Sequence, residues 1–121
     1  MLTIDHVQVA APTGCEAAAR AFYGGLLGLA ELAKPGDTLG NGGAWFRAGD
    51  RELHVGVDLD FHAAHKAHVG LAATDRAALD ALAERLHAAG HTVRWDTRLA
   101  GVRRFFVADP WGNRVEILTR E

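Results

Sequence analysis

Two pairs of side chains that can bind a metal ion or move a proton occupy matched positions in the two halves of the chain. His6 and His68 are 62 positions apart, and the same offset relates His54 to Glu116. Imidazole and carboxylate groups bind Zn, Fe, Ni, Co and Mn, and both act as general acids or bases. The matched positions therefore predict one divalent-metal site. The alternative is that these residues fill a solvated cavity and hydrogen-bond one another.

The hydrophobic pattern predicts that the same kinds of element recur in the same order in both halves. In the first half we expect a strand, a helix and three strands over residues 2–10, 15–27, 28–33, 44–47 and 52–57. In the second half the corresponding elements are expected over residues 66–72, 74 or 75 to about 89, 92–96, 103–108 and 114–119. The predicted fold class is α+β, a single domain of two βαβββ modules (about 1–60 and about 65–121) that form a curved mixed sheet with a concave cavity for a metal or ligand.

Alternation along the strands predicts the side of the sheet to which each candidate ligand points. Val7 and Val9 suit a face that packs on helices, which leaves His6 and Gln8 on the opposite face. The same argument, applied to the other strands, adds Glu52, His54, His68 and Glu116 to that opposite face. We therefore expect the candidate ligands to share one surface of the sheet.

Composition excludes several classes of partner. The chain has 121 residues, of which 49% are hydrophobic and 23% are charged, as in ordinary globular proteins. Its net charge of −2 gives no electrostatic reason to expect nucleic acid or an anionic membrane as a partner. The opening residues lack a signal-peptide pattern, and Cys15, the only cysteine, excludes an internal disulfide. We therefore expect a cytoplasmic protein without a nucleic-acid or membrane partner, in which Cys15 is a structural or incidental thiol.

Four segments carry a pattern that identifies a family. They are Ile4-Asp5-His6-Val7, the stretch from Ala21-Phe22-Tyr23 to Leu26-Leu27-Gly28-Leu29, Ala67-His68-Val69 and Asp109-Pro110-Trp111-Gly112-Asn113-Arg114-Val115-Glu116. Together they resemble the vicinal-oxygen-chelate superfamily of glyoxalases, bleomycin-resistance proteins and extradiol dioxygenases. The resemblance covers nearly the whole chain, and its last segment is the most specific.

The resemblance implies where a metal would be held. It assigns His6, His68 and Glu116 directly as ligands, and it puts the fourth ligand at His54, where bacterial glyoxalase I has a glutamate. Glu52, two residues away on the same face, is the alternative fourth ligand. Proteins of this length in the superfamily usually dimerise, so we expect a homodimer with sites at the interface. The resemblance also implies one divalent metal per site (Zn, Ni, Co, Mn or Fe).

The resemblance also implies a reaction. The expected function is that of a small glyoxalase-like enzyme, a lyase or isomerase that stabilises an enediolate-like oxyanion of a small oxygenated substrate. Glu116 and His54 are the candidates for moving the proton. The expected substrate contacts are Arg104, Phe106, Gln8 and Trp45. Glutathione-dependent chemistry is disfavoured, because Ala10 stands where bacterial glyoxalase I has an arginine.

Two functions of other kinds remain open. A metal-free protein that binds a drug or another small molecule, as bleomycin-resistance proteins do, would need no ligand set. The modest net charge and the intact set of His6, His68 and Glu116 argue against it. A superfamily member kept for protein–protein interaction is the third possibility. Metal content separates the first two functions, and an activity screen separates the first from the third.

Overall fold

Each half of the chain forms a four-stranded mixed sheet, as the repeated pattern predicts. The computed structural model describes the backbone of residues 1–121 and the side chains of residues 1–36 and 40–121. The chain divides into two units, Met1–Ala63 and Ala64–Glu121. In the part of the chain that the structure describes, no helix is long and apolar enough to cross a membrane.

The helical segment of the first unit changes type along its length. The elements of this unit are β1 (His6–Ala11), α1 (Glu16–Ala19), a π-helix (Arg20–Leu26), β2 (Ala30–Leu32), a 3₁₀-helix (Gly36–Asn41), β3 (Ala44–Ala48) and β4 (Arg51–Val57). The strand order is β1-β4-β3-β2, with β1 parallel to β4 and the other pairs antiparallel. The single helix predicted for residues 15–27 is therefore α-helical only at its start. It ends with a wider turn, in which the Leu27 N–H donates to the carbonyl oxygen of Phe22 at 2.9 Å.

Aromatic side chains of this helical segment and of β3 form the core of the first unit. Phe22, Tyr23 and Phe46 are all buried; the Phe22 and Tyr23 rings meet edge to face with centroids 5.0 Å apart, and Tyr23 lies 6.0 Å from Phe46. Leu53 of β4 is also fully buried. Burial of each such side chain contributes roughly 1.5–3 kcal/mol. Because alternate residues of a strand point to opposite faces, burial of Leu53 directs His54 to the other face of the sheet.

The second unit repeats this order with a regular helix. Its elements are β5 (His68–Ala72), α2 (Arg76–Ala88), β6 (Arg94–Asp96), β7 (Val102–Ala108) and β8 (Arg114–Arg120), and the strand order is β5-β8-β7-β6. Asp75 caps α2, because its side chain accepts a hydrogen bond from the Ala78 N–H at 2.8 Å. The buried Leu79 and Leu86 lie on the face of α2 that packs on β7 and β8. Ile117 of β8 is buried in the same core, so Glu116 points away from the helix.

The pairing register confirms the internal repeat at the level of single residues. In the first unit, β1 and β4 pair in parallel with Gln8 opposite His54. In the second unit, β5 and β8 pair in parallel with Gly70 opposite Glu116, which is the same rung of the repeat. The predicted α+β fold of two βαβββ modules is thereby confirmed, and hydrogen bonding groups the strands into one sheet per module.

Candidate functional site

A stack of three rings lies on one face of the first sheet. His54, on the central strand β4, is only 5% exposed. Its ring is parallel to that of Trp45 on β3, with centroids 3.8 Å apart and 2° between the planes. On its other side is His6 of β1, with centroids 4.4 Å apart and 17° between the planes. The stack fixes the plane of the His54 ring, and its Nε2 atom lies 2.9 Å from Oε1 of Glu52. The two alternatives for the fourth ligand are therefore in direct contact.

The hydrogen bonding of His6 determines which of its ring nitrogens is free. Nδ1 of His6 lies 2.8 Å from Oδ1 of Asp5. This hydrogen bond is the main cause that lowers the pKa of Asp5, so the carboxylate is an acceptor and Nδ1 carries the proton. In the neutral ring, Nε2 is then left with its lone pair. That is the atom a metal ion would bind.

His68 shows the same arrangement in the second unit. Its Nδ1 lies 2.8 Å from the backbone carbonyl oxygen of Lys66, which can only accept, so Nδ1 carries the proton. Its Nε2 lies 3.0 Å from Oε1 of Glu116, whose residue is 8% exposed. A neutral imidazole with this tautomer and an ionised carboxylate turn two acceptors toward each other. Such a contact is favourable only when a proton or a cation lies between them.

Arg104 and Phe106 surround the carboxylate of Glu116. β7 runs between β6 and β8, so Arg104 is not an arginine at the edge of the sheet, and its side chain is 17% exposed. Its Nη1 lies 3.5 Å from Oε1 of Glu116, and its Nη2 lies 3.6 Å from Oδ2 of Asp96. Phe106 is buried, is the register partner of Glu116, and meets the His68 ring edge to face at 5.6 Å. Arg104 therefore shares its charge between two carboxylates.

The other predicted contacts, Gln8 and Trp45, belong to the first unit. Gln8 is exposed on β1, and its side-chain amide lies against Gly56, where an added Cβ would come within 2.6 Å of it. Phe46 and Trp45 point to opposite faces of the sheet, as alternation requires: Phe46 is in the core and Trp45 stacks on His54. Their roles in binding substrate stay predictions.

The predicted ligands occur as pairs within each unit. His6 and His54 are in contact in the first, and His68 and Glu116 in the second. Among the residues whose side chains are described, no three of the His, Cys, Asp and Glu residues are grouped closely enough to hold a metal ion. The four-ligand metal site therefore stays a prediction.

Two functional candidates, Arg94 and Arg114, are missing from the sequence-based prediction. Arg114 lies opposite Ala108 and two residues before Glu116, so it shares the face of that carboxylate. Its guanidinium lies 4.3 Å from the centroid of the Phe106 ring. Arg94 is the register partner of Phe106 on the other side of β7. Alternation counted back from Glu116 gives the position of Arg114, whereas that of Arg94 depends on the pairing of β6 with β7.

This fold, with its repeated pairs of predicted ligands, indicates the class of protein to which the chain belongs. The sequence model of the Glyoxalase/Bleomycin resistance protein/Dioxygenase superfamily matches residues 3–117. The chain is a member of that superfamily. No functionally curated protein matches it.

Solved structures give the same result in more detail. The chain is 41% identical to a Bacillus anthracis protein assigned to the glyoxalase family, with a TM-score of 0.94 over 100% of this chain and 97% of that one. It shares its fold with lactoylglutathione lyase from Agrobacterium tumefaciens at 23% identity, with a TM-score of 0.75 over 97% of this chain and 92% of that one. It also shares its fold with the fosfomycin resistance protein FosX from Listeria monocytogenes at 13% identity, with a TM-score of 0.80 over 100% and 95% of the two chains.

Proposed function

We propose that this protein is a small metal-dependent lyase or isomerase of the glyoxalase type, which holds one divalent ion with His6, His68, Glu116 and either His54 or Glu52. One observation carries the proposal. In both His6 and His68 an oxygen acceptor takes the Nδ1–H, which leaves the Nε2 lone pair available. Outer hydrogen bonds of this kind are the usual means by which proteins orient histidines that bind metal.

The donor chemistry fits a divalent ion of the first transition row. Neutral imidazole nitrogen and carboxylate oxygen suit Zn, Ni, Co, Mn and Fe. Nε2 of His68 and Oε1 of Glu116 lie 3.0 Å apart, close enough to bind the same ion. A metal site takes three or four protein ligands, so the proposal requires that both pairs contribute. A cytoplasmic homodimer with sites at its interface belongs to the same proposal.

Each side chain of the site has a separate role in the proposed reaction. When bound, a divalent ion would act as a Lewis acid toward two neighbouring oxygens of the substrate. Glu116 accepts a proton from the substrate carbon beside those oxygens and returns it to the adjacent carbon, with the Arg104 guanidinium orienting the carboxylate. His54, held flat by the Trp45 ring, is the second group that can exchange a proton. Trp45 and Phe106 supply apolar walls that limit the access of water.

Metal binding by the purified, untagged protein is the first test. After treatment with a chelator, the protein is titrated separately with Zn, Ni, Co, Mn and Fe(II), and bound metal is measured by elemental analysis after dialysis. We expect one ion per site in the wild type, and about 100-fold weaker binding in His68→Ala because a ligand is lost. The matched control is His62→Ala, which removes an imidazole whose side chain is 83% exposed and should leave the metal affinity unchanged.

The reaction class has its own test. The reconstituted protein is incubated in D₂O with a panel of hydroxycarbonyl compounds, and exchange of the carbon-bound proton is followed by NMR. Glu116→Gln should abolish exchange, because the amide cannot accept the proton. If none of the five metals binds, the proposal fails and a metal-free binding protein becomes the better account. If metal binds but no compound exchanges a proton, the assignment as a lyase or isomerase fails.

A further inference from the structure

Two arginines on the same face as Glu116 have no carboxylate partner among the residues whose side chains are described. Two carboxylates of this region are engaged by other arginines: Glu116 by Arg104, and Asp96 mainly by Arg98, whose hydrogen bond holds the pKa of Asp96 well below its usual range. Neither Arg94 nor Arg114 forms an ion pair with any residue whose side chain is described. This part of the second sheet therefore carries an excess of positive charge.

The side chain of Arg114 is also incompletely hydrogen-bonded. Its Nε atom is buried and has no hydrogen-bond partner among the residues that the structure describes, and the same is true of Nε of Arg104. Both guanidinium groups lie over the Phe106 ring, at 4.3 Å for Arg114 and 5.2 Å for Arg104. The guanidinium of Arg114 therefore keeps hydrogen-bonding capacity that its described neighbours do not use.

Arg94 and Arg114 line the same space. A cavity of about 340 Å³ is lined by both arginines together with His65, Ala108 and Gly112. A second cavity of about 380 Å³ is lined by both arginines and Phe106, and also by the ion pair of Asp96 and Arg98. Their backbones are two strand spacings of about 4.8 Å apart across the sheet and two residues, about 7 Å, apart along it, a separation that two long side chains can span to meet on one small anion. The small side chain of Ala108 leaves this space open.

We propose that Arg94 and Arg114 bind a tetrahedral oxyanion with two negative charges, a group of the phosphate monoester type carried by the substrate. A single carboxylate is satisfied by one guanidinium in a bidentate contact, whereas two unpaired guanidinium groups match two charges and three terminal oxygens. This inference rests on the proposed function for the statement that the ligand is a substrate. The presence of an anion site does not depend on it.

Titration of the metal-free protein with simple anions tests the site. The arginine Nε–H signals are followed by ¹H–¹⁵N NMR at constant ionic strength, with inorganic phosphate, sulfate and acetate as the probes. Phosphate and sulfate should move the Arg114 Nε–H signal with saturation, and acetate should bind about tenfold more weakly because it carries one charge. Arg94→Gln and Arg114→Gln should each weaken phosphate binding about tenfold or more.

The matched control is Arg120→Gln, which removes the same charge from the exposed end of β8. It should leave phosphate binding within about twofold of the wild type, since exposed and distant charges are screened. The site is refuted if the wild type shows no saturable shift, or if Arg120→Gln weakens binding as much as Arg114→Gln. Tight acetate binding would replace the phosphate-type ligand by a carboxylate and refute the proposal as stated.

Two precautions keep the outcomes separate. Arg94 is exposed on a short edge strand, so Arg94→Gln should fold even if Arg114→Gln does not, as far-UV circular dichroism will show. This titration contains no metal, so its result is independent of the metal-binding test. Phosphate binding together with failure of the metal-binding test would support the anion site and refute the proposed enzyme. Metal binding with no phosphate binding would refute the anion site alone.

Discussion

Replacing Gly43 by alanine should destabilise the first unit and disturb the ring stack on its sheet. Gly43 immediately precedes β3 and has a φ of +83°. A Cβ at this position would come 2.1 Å from the carbonyl oxygen of Val55 on β4. Val55 is the register partner of Ala44, so the overlap falls at the first rung of the β3–β4 ladder. No side-chain rotation can relieve this overlap, because the Val55 oxygen is a backbone atom and the backbone fixes the position of a Cβ.

Gly49, in the turn between β3 and β4, provides the matched control for the magnitude. Its φ is +64°, and a Cβ there would meet nothing within 4 Å. Gly49→Ala should therefore lower the free energy of unfolding only by the cost of placing an alanine in the left-handed conformation, about 1–2 kcal/mol. Gly43→Ala carries a comparable conformational cost and adds a backbone displacement, for which about 1–3 kcal/mol is typical. The difference between the two variants isolates the contact with Val55.

Urea unfolding followed by far-UV circular dichroism measures this difference. With a slope of about 1–3 kcal/mol per molar urea, an additional loss of about 2 kcal/mol lowers the midpoint by about 1 M. Because β3 carries Trp45, the Trp45–His54 stack should loosen in Gly43→Ala and stay intact in Gly49→Ala. Equal midpoints for the two variants, with unchanged slopes, would refute the steric argument.

Three further predictions concern groups around the core and the last turn. The Gly43 N–H donates to the Glu16 carboxylate at 2.7 Å, and this hydrogen bond is the main cause that lowers the pKa of Glu16. The ionised carboxylate therefore stabilises the fold above the ordinary pKa of 4.5, and this stabilisation is lost as the pH falls through the lower pKa of the folded state. In Glu16→Gln the urea midpoint should fall less steeply toward acid pH than in the wild type, and an equally steep fall would contradict this. The Asp109 carboxylate accepts hydrogen bonds from two backbone N–H groups and from the side-chain amide of Asn113. Asp109→Ala should therefore lower the free energy of unfolding, measured by thermal unfolding, by about 1–3 kcal/mol. A change near zero would mean that other contacts hold the turn. Burial raises the pKa of the Cys15 thiol, so iodoacetamide should modify Cys15 only when urea unfolds the protein. Fast modification of the native protein would show that the thiol is accessible and would contradict this prediction.

The sequence was sufficient for the order of the elements and for the face on which each candidate ligand lies. Alternation in β4 and β8 depends only on neighbouring residues, and it predicts that His54 and Glu116 point away from the buried Leu53 and Ile117. The repeat likewise predicts that His54 and Glu116 are equivalent, and the parallel registers confirm it. These are local properties of the chain, so one sequence contains them.

The start of β1 shows where local pattern fails. Residues 2–10 alternate as a strand should, yet β1 begins at His6 and the apolar Leu2 and Ile4 are exposed. A strand needs a hydrogen-bonding partner, and β4 begins at Arg51, one residue before Glu52, the register partner of His6. The residues before Asp5, Leu2 and Ile4 among them, therefore have no β4 backbone beside them, and their alternation cannot show this.

The sequence alone determined which side chains share a face, whereas the tertiary structure decided what each of them contacts. The proton on Nδ1 of His68 follows from the Lys66 carbonyl, and the division of Arg104 between Glu116 and Asp96 follows from the pairing of β6, β7 and β8. That Arg114 has no ion pair among the described residues is likewise a property of its neighbours rather than of its own position. Hydrogen bonds and ion pairs depend on distances between atoms that are far apart in the chain, and only the folded backbone sets those distances.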